Sequence, residues 1–188
     1  MSQPKKSIWV FADYRNYFQN RVTLQLLAKA NDLATGMNAE VCAVVFGHET
    51  DEYVAEYIAH GAQKVLVVKH PSLNRYSVEK FTFLMEKLAG DQGPEIILIG
   101  ATSFGREFAP RVAKRLGTGL TADCIGLEMT SEGHLLQIAP SFGGNLIAEI
   151  ITPDHRPQMA TVRPGTFQEL PHDNTRCGDI VPIPLPKK

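Results

Sequence analysis

One stretch of the sequence, from Glu95 to Cys124, constrains the fold more than any other. It reads EIILIGATSFGREFAPRVAKRLGTGLTADC, which places an apolar run, a glycine turn and a helical pattern in immediate succession. The uninterrupted apolar run at residues 96–99 is typical of a parallel strand that is covered on both faces. Gly100 ends this run, and we therefore expect a crevice at the carboxyl end of the strand.

The second half of this stretch has the pattern of a helix with one apolar stripe and a basic outer surface. The stripe recurs at every fourth residue and consists of Phe104, Phe108, Val112 and Leu116. We interpret Ser103 as the N-cap of this helix and Gly117 as its stop. The free N–H groups of the first turn would face the crevice, so Gly100, Ser103 and Gly105 are candidate contacts for an anion or a polar cofactor edge.

The glycine turn resembles two nucleotide-binding motifs without matching either. Residues 100–107, GATSFGRE, keep the glycine spacing of a P-loop, but Arg106 and Glu107 replace its Lys and its Ser or Thr, so we reject a P-loop. The spacing loosely resembles the ATP loop of universal stress proteins, although the intervals differ. A nucleotide-binding domain of universal stress protein or adenine-nucleotide hydrolase type is therefore an alternative hypothesis. A purely structural turn from strand to helix is another.

Four strand-then-helix units in a row indicate the architecture. Apolar runs at residues 8–12, 41–46, 65–68 and 96–99 are each followed by a helical pattern. This order predicts an α/β fold, a Rossmann-like parallel sheet with helices on both faces, of the adenine-nucleotide hydrolase-like type. Residues 13–16 follow the first strand directly, and we expect them at the edge of the crevice.

The pattern changes after Ala122. Short segments separated by turns indicate an antiparallel β extension at one edge of the fold, and they read CIGLEM, HLLQIAP, NLIAEII and QMATV. Residues 171–188 contain Pro182, Pro184 and Pro186, which exclude a regular helix or a central strand. We therefore expect a domain over residues 1–170 and an irregular, proline-containing linker or tail over residues 171–188.

The composition argues against several classes of function. Its 19 basic and 20 acidic residues leave a formal charge of −1, which disfavours nucleic-acid binding. No apolar run approaches the ~18 residues that cross a bilayer, so we expect no membrane segment and a location in the cytoplasm, or in the mitochondrial matrix of a eukaryote. The 3 cysteines and 6 histidines lack metal-ligand spacing, and no catalytic arrangement of side chains emerges. We predict neither a metal site nor an enzyme.

Three stretches, in the same order and at similar distances, resemble the amino-terminal domain of the electron transfer flavoprotein alpha subunit. They are GATSFGREFAPRVAKRLGTGLTADCIGLE, APSFGGNLIAEI and PDHRPQMATVRPGTF. The resemblance implies a domain that docks the beta subunit, with FAD bound in the full-length heterodimer by a second domain that is absent here. It also implies electron transfer from flavin dehydrogenases, such as the acyl-CoA dehydrogenases of fatty acid oxidation, to another acceptor. We expect no cofactor on this chain alone.

The resemblance assigns roles to particular residues. It places the loop of Phe142, Gly143, Gly144 and Asn145 near a beta-subunit cofactor, whereas the residues alone indicate a hairpin turn. It places Arg163 at the subunit contact, where a solvated arginine is the alternative. Many family members carry Arg before the proline of the loop, and Ala139 stands there in this chain, which puts electron bifurcation in doubt. Independently of the resemblance, we expect Asp123 to accept hydrogen bonds from the amides of the glycine turn across the crevice.

A permanent heterodimer requires an apolar contact surface, which the isolated chain would expose. We expect this surface in the antiparallel part, around Phe142, Leu146 and Met159. Without its partner, the chain is expected to form a homodimer through the same surface.

Overall fold

The structure, a computed structural model, describes residues 6–186 apart from the side chain of Phe142. Its strands are β1 (Ser7–Phe11), β2 (Glu40–Gly47), β3 (Lys64–Lys69), β4 (Ile96–Gly100), β5 (Leu120–Cys124), β6 (Gly126–Met129), β7 (Leu135–Ser141), β8 (Leu146–Ile150), β9 (Gln158–Val162) and β10 (Asp179–Pro182). Its α-helices are α1 (Tyr17–Met37), α2 (Asp51–Ala59), α3 (Val78–Gln92) and α4 (Ser103–Leu116). Short 3-10 turns lie at Pro71–Leu73 and Phe142–Gly144.

The described strands form two sheets. Seven parallel strands make the main sheet in the order β10-β3-β2-β1-β4-β9-β5, and β6, β7 and β8 make a separate antiparallel sheet. Helices cover both faces of the main sheet, since α1 and α2 pack into one apolar cluster and α3 and α4 into the other. The predicted α/β fold with an antiparallel extension is confirmed. Among the described residues, none of the helices combines the length and apolarity needed to span a membrane.

The strands at the centre of the main sheet are apolar because both of their faces are covered. Neighbouring residues of β1 alternate between the two clusters, with Ile8 and Val10 facing α1 and Trp9 and Phe11 facing α3 and α4. All four side chains are at most 2% exposed. This two-sided burial explains why the strands read as continuous apolar runs in the sequence.

The prediction for the segment QMATV was wrong. It forms β9, which lies between β4 and β5 in the parallel sheet rather than in the antiparallel extension. All five of its residues are buried, and Met159, which we expected at the surface, is fully buried. A short apolar run between turns has the same pattern in either kind of sheet, so the sequence did not distinguish the two.

The expectation of an irregular segment after residue 170 was wrong for Asp179–Pro182. These residues form β10, which pairs with β3 at the edge of the main sheet, where a proline is tolerated. The preceding residues cross the face formed by α1 and α2. There, Arg21 and Glu169 form an ion pair of 2.6 Å, and Arg176 Nη1 donates to the carbonyl of Ala59 at 2.6 Å. A domain boundary at residue 170 stays a prediction.

Candidate functional site

The crevice lies at the carboxyl edge of the main sheet, where the direction of chain winding reverses. The chain proceeds from β1 through β2 to β3 on one side and then returns to β4 on the other side of β1. Ligands of open α/β sheets commonly bind at such a reversal. Asp13 and Thr102 follow β1 and β4 there, which confirms the predicted position of residues 13–16.

Three side chains meet in the crevice between β1 and β4. Thr102 Oγ1 donates to the carboxylate of Asp13 at 3.0 Å, and Asp13 is only 7% exposed. Arg15 donates to both oxygens of this carboxylate, at 2.8 and 3.0 Å, and its guanidinium lies 4.3 Å from the centroid of the Phe104 ring. The charges of Asp13 and Arg15 are therefore paired with each other.

The two glycines of the predicted anion site have structural roles. A Cβ atom on Gly105 would lie 1.8 Å from the carbonyl oxygen of Gly100, and one on Gly100 would lie 2.7 Å from Val22 Cγ1. Glycine at both positions thus lets α4 and α1 pack directly against the end of β4. The contact of Gly100, Ser103 and Gly105 with an anion or a polar cofactor edge stays a prediction.

The first turn of α4 differs from the prediction at its cap. Thr102, not Ser103, is the N-cap, and its hydroxyl accepts a hydrogen bond from the amide of Gly105 at 3.1 Å. Ser103 is the first helical residue and is exposed to solvent. Both Thr and Ser are common N-cap residues, so the sequence alone did not distinguish residue 102 from residue 103 as the N-cap.

Asp123 lies in a β-bulge of β5 and does not reach the glycine turn, so that prediction was wrong. Its φ angle of 57° turns the carboxylate towards Arg163, whose Nη2 donates to Oδ2 at 2.7 Å. Arg106 lies 3.9 Å from Oδ1, which has no hydrogen-bond partner among the described residues. The hydrogen bond from Arg163 lowers the pKa of Asp123, and the nearby charges of Arg163 and Arg106 act in the same direction.

The predicted glycine loop forms the tip of the hairpin that joins β7 to β8. Gly143 and Gly144 have φ angles of 68° and 92°, and a Cβ atom on either residue would meet no other atom within 4 Å. Gly143, Gly144 and Asn145 are exposed, whereas the side chain of Phe142 lies outside the described part of the structure. The hairpin prediction is confirmed, and the contact with a cofactor stays a prediction.

Strand β8 presents an apolar surface to solvent, which we call the β8 edge. Among the described strands, β8 pairs only with β7, so its other edge has no strand partner. Its exposed apolar residues are Leu146 at 58%, Ile147 at 65% and Ile150 at 39%, and Ile151 follows at 43%. Exposure of Leu146 was predicted from the sequence. Exposed apolar edge strands are templates for pairing with another chain.

The sequence analysis missed a pocket of about 740 Å³ over the carboxyl ends of β1, β2 and β3, which we call the β2 pocket. Most of its residues come from the three segments that follow β1, β2 and β3, and Phe81 of α3 and Phe104 of α4 also line it. The segment directly after β2 contains the polar residues His48, Glu49 and Thr50. The sequence analysis placed residues 13–16 at the crevice edge, and Asp13, Tyr14 and Arg15 line the pocket, but it did not identify the turns after β2 and β3. Within residues 6–186, the β2 pocket included, no cluster of His, Cys, Asp and Glu has the arrangement of a metal site.

Known proteins resemble this chain over nearly its whole length. Residues 8–188 match the electron transfer flavoprotein domain family. Electron transfer flavoprotein subunit alpha of Thermoanaerobacterium thermosaccharolyticum is 46% identical over 176 residues, and that of Clostridium acetobutylicum is 44% identical over 175 residues. Protein FixB of Clostridium saccharobutylicum is 42% identical over 173 residues. These alignments cover 94%, 93% and 92% of this chain but 53%, 52% and 52% of the relatives. The chain therefore spans about half the length of the curated relatives it matches.

Proposed function

The chain belongs to the electron transfer flavoprotein domain family, and we propose that it acts as an alpha-type domain that docks a beta-type subunit through the β8 edge. The curated relatives are named as subunits, so an assembly with another chain is the natural context for the domain. The β8 edge is the observation that carries the proposal. It combines a strand without a second partner with several apolar side chains that are more than a third exposed.

Pairing at the β8 edge would satisfy two physical requirements at once. A partner strand would use the outward-facing N–H and C=O groups of β8, and the partner's side chains would cover Leu146, Ile147 and Ile150. The hairpin tip at Gly143 and Gly144 is continuous with this surface. We propose that it lies near a cofactor held by the beta-type subunit, and that Arg163 lies at the same contact.

We also propose a role in electron transfer, because the chain belongs to the electron transfer flavoprotein domain family. FAD is bound in the full heterodimer, and none is expected on this chain alone. Electrons pass from a flavin dehydrogenase of the acyl-CoA dehydrogenase type to another acceptor, in the cytoplasm. This domain is a docking platform without its own catalysis, and the purified chain is expected to show no flavin absorption.

Two matched substitutions test the docking proposal. Leu146 on β8 and Ile180 on β10 are both 58% exposed and both lie on edge strands, but they belong to different sheets. We expect Leu146→Asp to weaken binding of a beta-type subunit from the same organism by about tenfold or more, because a carboxylate would be buried without a partner. Ile180→Asp should leave binding unchanged. Isothermal titration of purified subunits measures both effects, and thermal midpoints confirm that each variant is folded.

The same substitutions test the surface in the absence of a partner. If the isolated chain forms a homodimer through the β8 edge, Leu146→Asp should shift its sedimentation to that of a monomer, whereas Ile180→Asp should not. Equal binding of the beta-type subunit by Leu146→Asp and the unsubstituted chain would show that the docking surface lies elsewhere. A loss of binding caused by Ile180→Asp alone would place it at β10.

A further inference from the structure

We propose that the outer surface of α4 docks an acidic segment of a second partner protein, distinct from the beta-type subunit. The α4 sequence contains four basic residues and one acidic residue. All four basic side chains are exposed, and we call this surface the α4 basic face, which consists of Arg106, Arg111, Lys114 and Arg115. The sequence predicted a basic outer surface for this helix, and neither the docking role nor the electron-transfer role uses it.

Helix α4 and the antiparallel sheet pack on opposite faces of the main sheet. Phe108 and Val112 of α4 belong to one apolar cluster, whereas Leu127 and Leu135 of the antiparallel sheet belong to the other, together with residues of α1 and α2. A partner on the α4 basic face therefore leaves the β8 edge accessible to a beta-type subunit. The inference is independent of the docking proposal, because it uses none of the same residues.

Most of the positive charge on this face is not neutralised by close partners. Arg115 Nη1 donates to Glu86 of α3 at 2.8 Å. Arg111 lies 4.0 Å from Glu107, which is too long for a hydrogen bond. Lys114 forms no ion pair within residues 6–186. The side-chain N–H groups of Arg111 and Lys114 are therefore available to the carboxylates of another protein.

Three of these basic side chains converge on a shallow groove between α3 and α4. Arg111, Lys114 and Arg115 are spaced by three and four residues, so they lie on the same side of the helix. The groove has a volume of about 340 Å³, and its lining consists of Glu79, Thr82, Pro110, Arg111, Lys114 and Arg115. Half of this lining is basic, so a chain laid along the groove meets several cationic donors at once.

Charge complementarity identifies the occupant as a segment with several carboxylates. Guanidinium groups pair with carboxylates through two parallel hydrogen bonds, and three of the four basic residues are arginines. Glutamates or aspartates spaced by three or four residues on a partner helix would match the spacing of the α4 basic face. Nucleic acid fits less well, because the whole chain has a formal charge of −1 and would repel a long run of phosphates.

A second copy of the chain is also a less suitable occupant. Helix α2 is acidic, with Asp51, Glu52 and Glu56 and no basic residue, and it covers the opposite face of the main sheet. Pairing of α2 in one copy with α4 in the next would be a head-to-tail contact, which leaves one surface free at each end and extends into a filament. The proposal therefore commits to a different protein with an acidic segment.

Lys114→Gln and Lys87→Gln provide a matched pair of variants. Both lysines are exposed on helices of the same face and form no ion pair within residues 6–186, but Lys87 lines a separate groove beside β3. The probe is a fluorescein-labelled polyglutamate peptide, and fluorescence anisotropy measures its Kd at low ionic strength. We expect Lys114→Gln to weaken binding about threefold, and a double variant that adds Arg111→Gln about tenfold. Lys87→Gln should leave the Kd nearly unchanged, and all thermal midpoints should stay the same because these side chains are exposed.

Several results would overturn the proposal. The peptide would fail to bind at low ionic strength, or Lys87→Gln would weaken binding as much as Lys114→Gln does. Tighter binding of a single-stranded oligonucleotide than of the peptide would indicate nucleic acid instead. Salt-dependent self-association that is lost in Lys114→Gln would indicate a second copy.

A competition experiment separates this proposal from the docking proposal. A saturating beta-type subunit should leave the affinity for the peptide unchanged, because α4 and the antiparallel sheet pack on opposite faces of the main sheet. Displacement of the peptide would place the beta-type subunit on α4 and would overturn the assignment of a second partner. Failure of the peptide to bind would leave the β8 edge unaffected, since Leu146→Asp tests it with a different partner.

Discussion

Gly105 occupies a position in α4 where any side chain would collide with the backbone of β4. The atom nearest to a Cβ at this position would be the carbonyl oxygen of Gly100, which belongs to a strand and cannot rotate away as a side chain can. Gly90 offers the opposite case within α3, since a Cβ there would meet no atom within 4 Å. The two glycines thus allow the contribution of close packing to be separated from that of helix propensity.

Substituting alanine at these two positions should change stability in opposite directions. We expect Gly105→Ala to lower the free energy of unfolding by about 2 to 4 kcal/mol, because α4 must move away from β4. We expect Gly90→Ala to raise it by about 0.5 to 1 kcal/mol through helix propensity and reduced freedom of the unfolded chain. Urea unfolding of both variants measures the difference. A neutral Gly105→Ala would mean that α4 does not pack as closely as described.

The sequence predicted a glycine turn after β4, but it did not show whether the glycines serve ligand binding or close packing. The spacing of Gly100 and Gly105 is compatible with an anion site and with close packing, because both uses require the absence of a side chain. The position of the Gly100 carbonyl shows that close packing requires glycine at residue 105. The arrangement of the crevice could not be predicted from the sequence either, because the hydrogen bond from Thr102 to Asp13 joins residues 89 positions apart in the chain.

At the scale of the elements, β9 shows that a local sequence pattern predicts a strand but not the strands with which it pairs. The sequence predicted a strand at QMATV, and a strand is present, but its neighbours are β4 and β5. Strand pairing depends on contacts between residues far apart in the chain, such as the hydrogen bond from the Gln158 amide to the carbonyl of Glu95. The first four strands were placed correctly because each is linked to the next by a helix, which restricts the connection to a right-handed crossover.

The ion pair between Asp123 and Arg163 links two neighbouring elements, the bulge of β5 and the end of β9. It should be visible in the titration of Asp123. A carboxyl whose pKa is lowered on folding contributes stability above its unfolded pKa, and this contribution is lost as the pH falls through the folded pKa. Arg163→Gln removes the main cause of the shift and should raise the pKa of Asp123. The thermal midpoints of the two proteins should therefore differ at pH 7 and converge in acid.

Arg106→Gln is the matched control for this pair. The guanidinium of Arg106 lies 3.9 Å from the carboxylate of Asp123, whereas that of Arg163 lies 2.7 Å away. Removing Arg106 should therefore raise the pKa of Asp123 less than removing Arg163 does. Carbon-detected NMR of the side-chain carboxyl measures the pKa directly in each protein. An unchanged pKa in Arg163→Gln would contradict the assignment of the hydrogen bond as the main cause.

At the scale of the whole molecule, the β8 edge and the β2 pocket are exposed features of the described part of the chain. The β8 edge is an apolar strand with a free edge, and the β2 pocket is a cavity of polar and aromatic residues at the carboxyl edge of the main sheet. The sequence predicted part of the first, through Leu146, because the family resemblance implied an interface. It placed residues 13–16 at the edge of the crevice, but it did not predict the rest of the β2 pocket, because the pocket is assembled from turns that lie apart in the chain.

Hydrogen–deuterium exchange of the chain with and without a beta-type subunit tests the docking role most directly. Amides at residues 146–150 that point away from β7 lack a strand partner in the described structure and should exchange rapidly in the isolated chain. We predict that these amides become protected in the complex, whereas those at residues 179–181 of β10 exchange at the same rate in both states. A stable complex in which β8 exchanges as rapidly as before, or in which protection appears at β10 instead, would contradict the proposal.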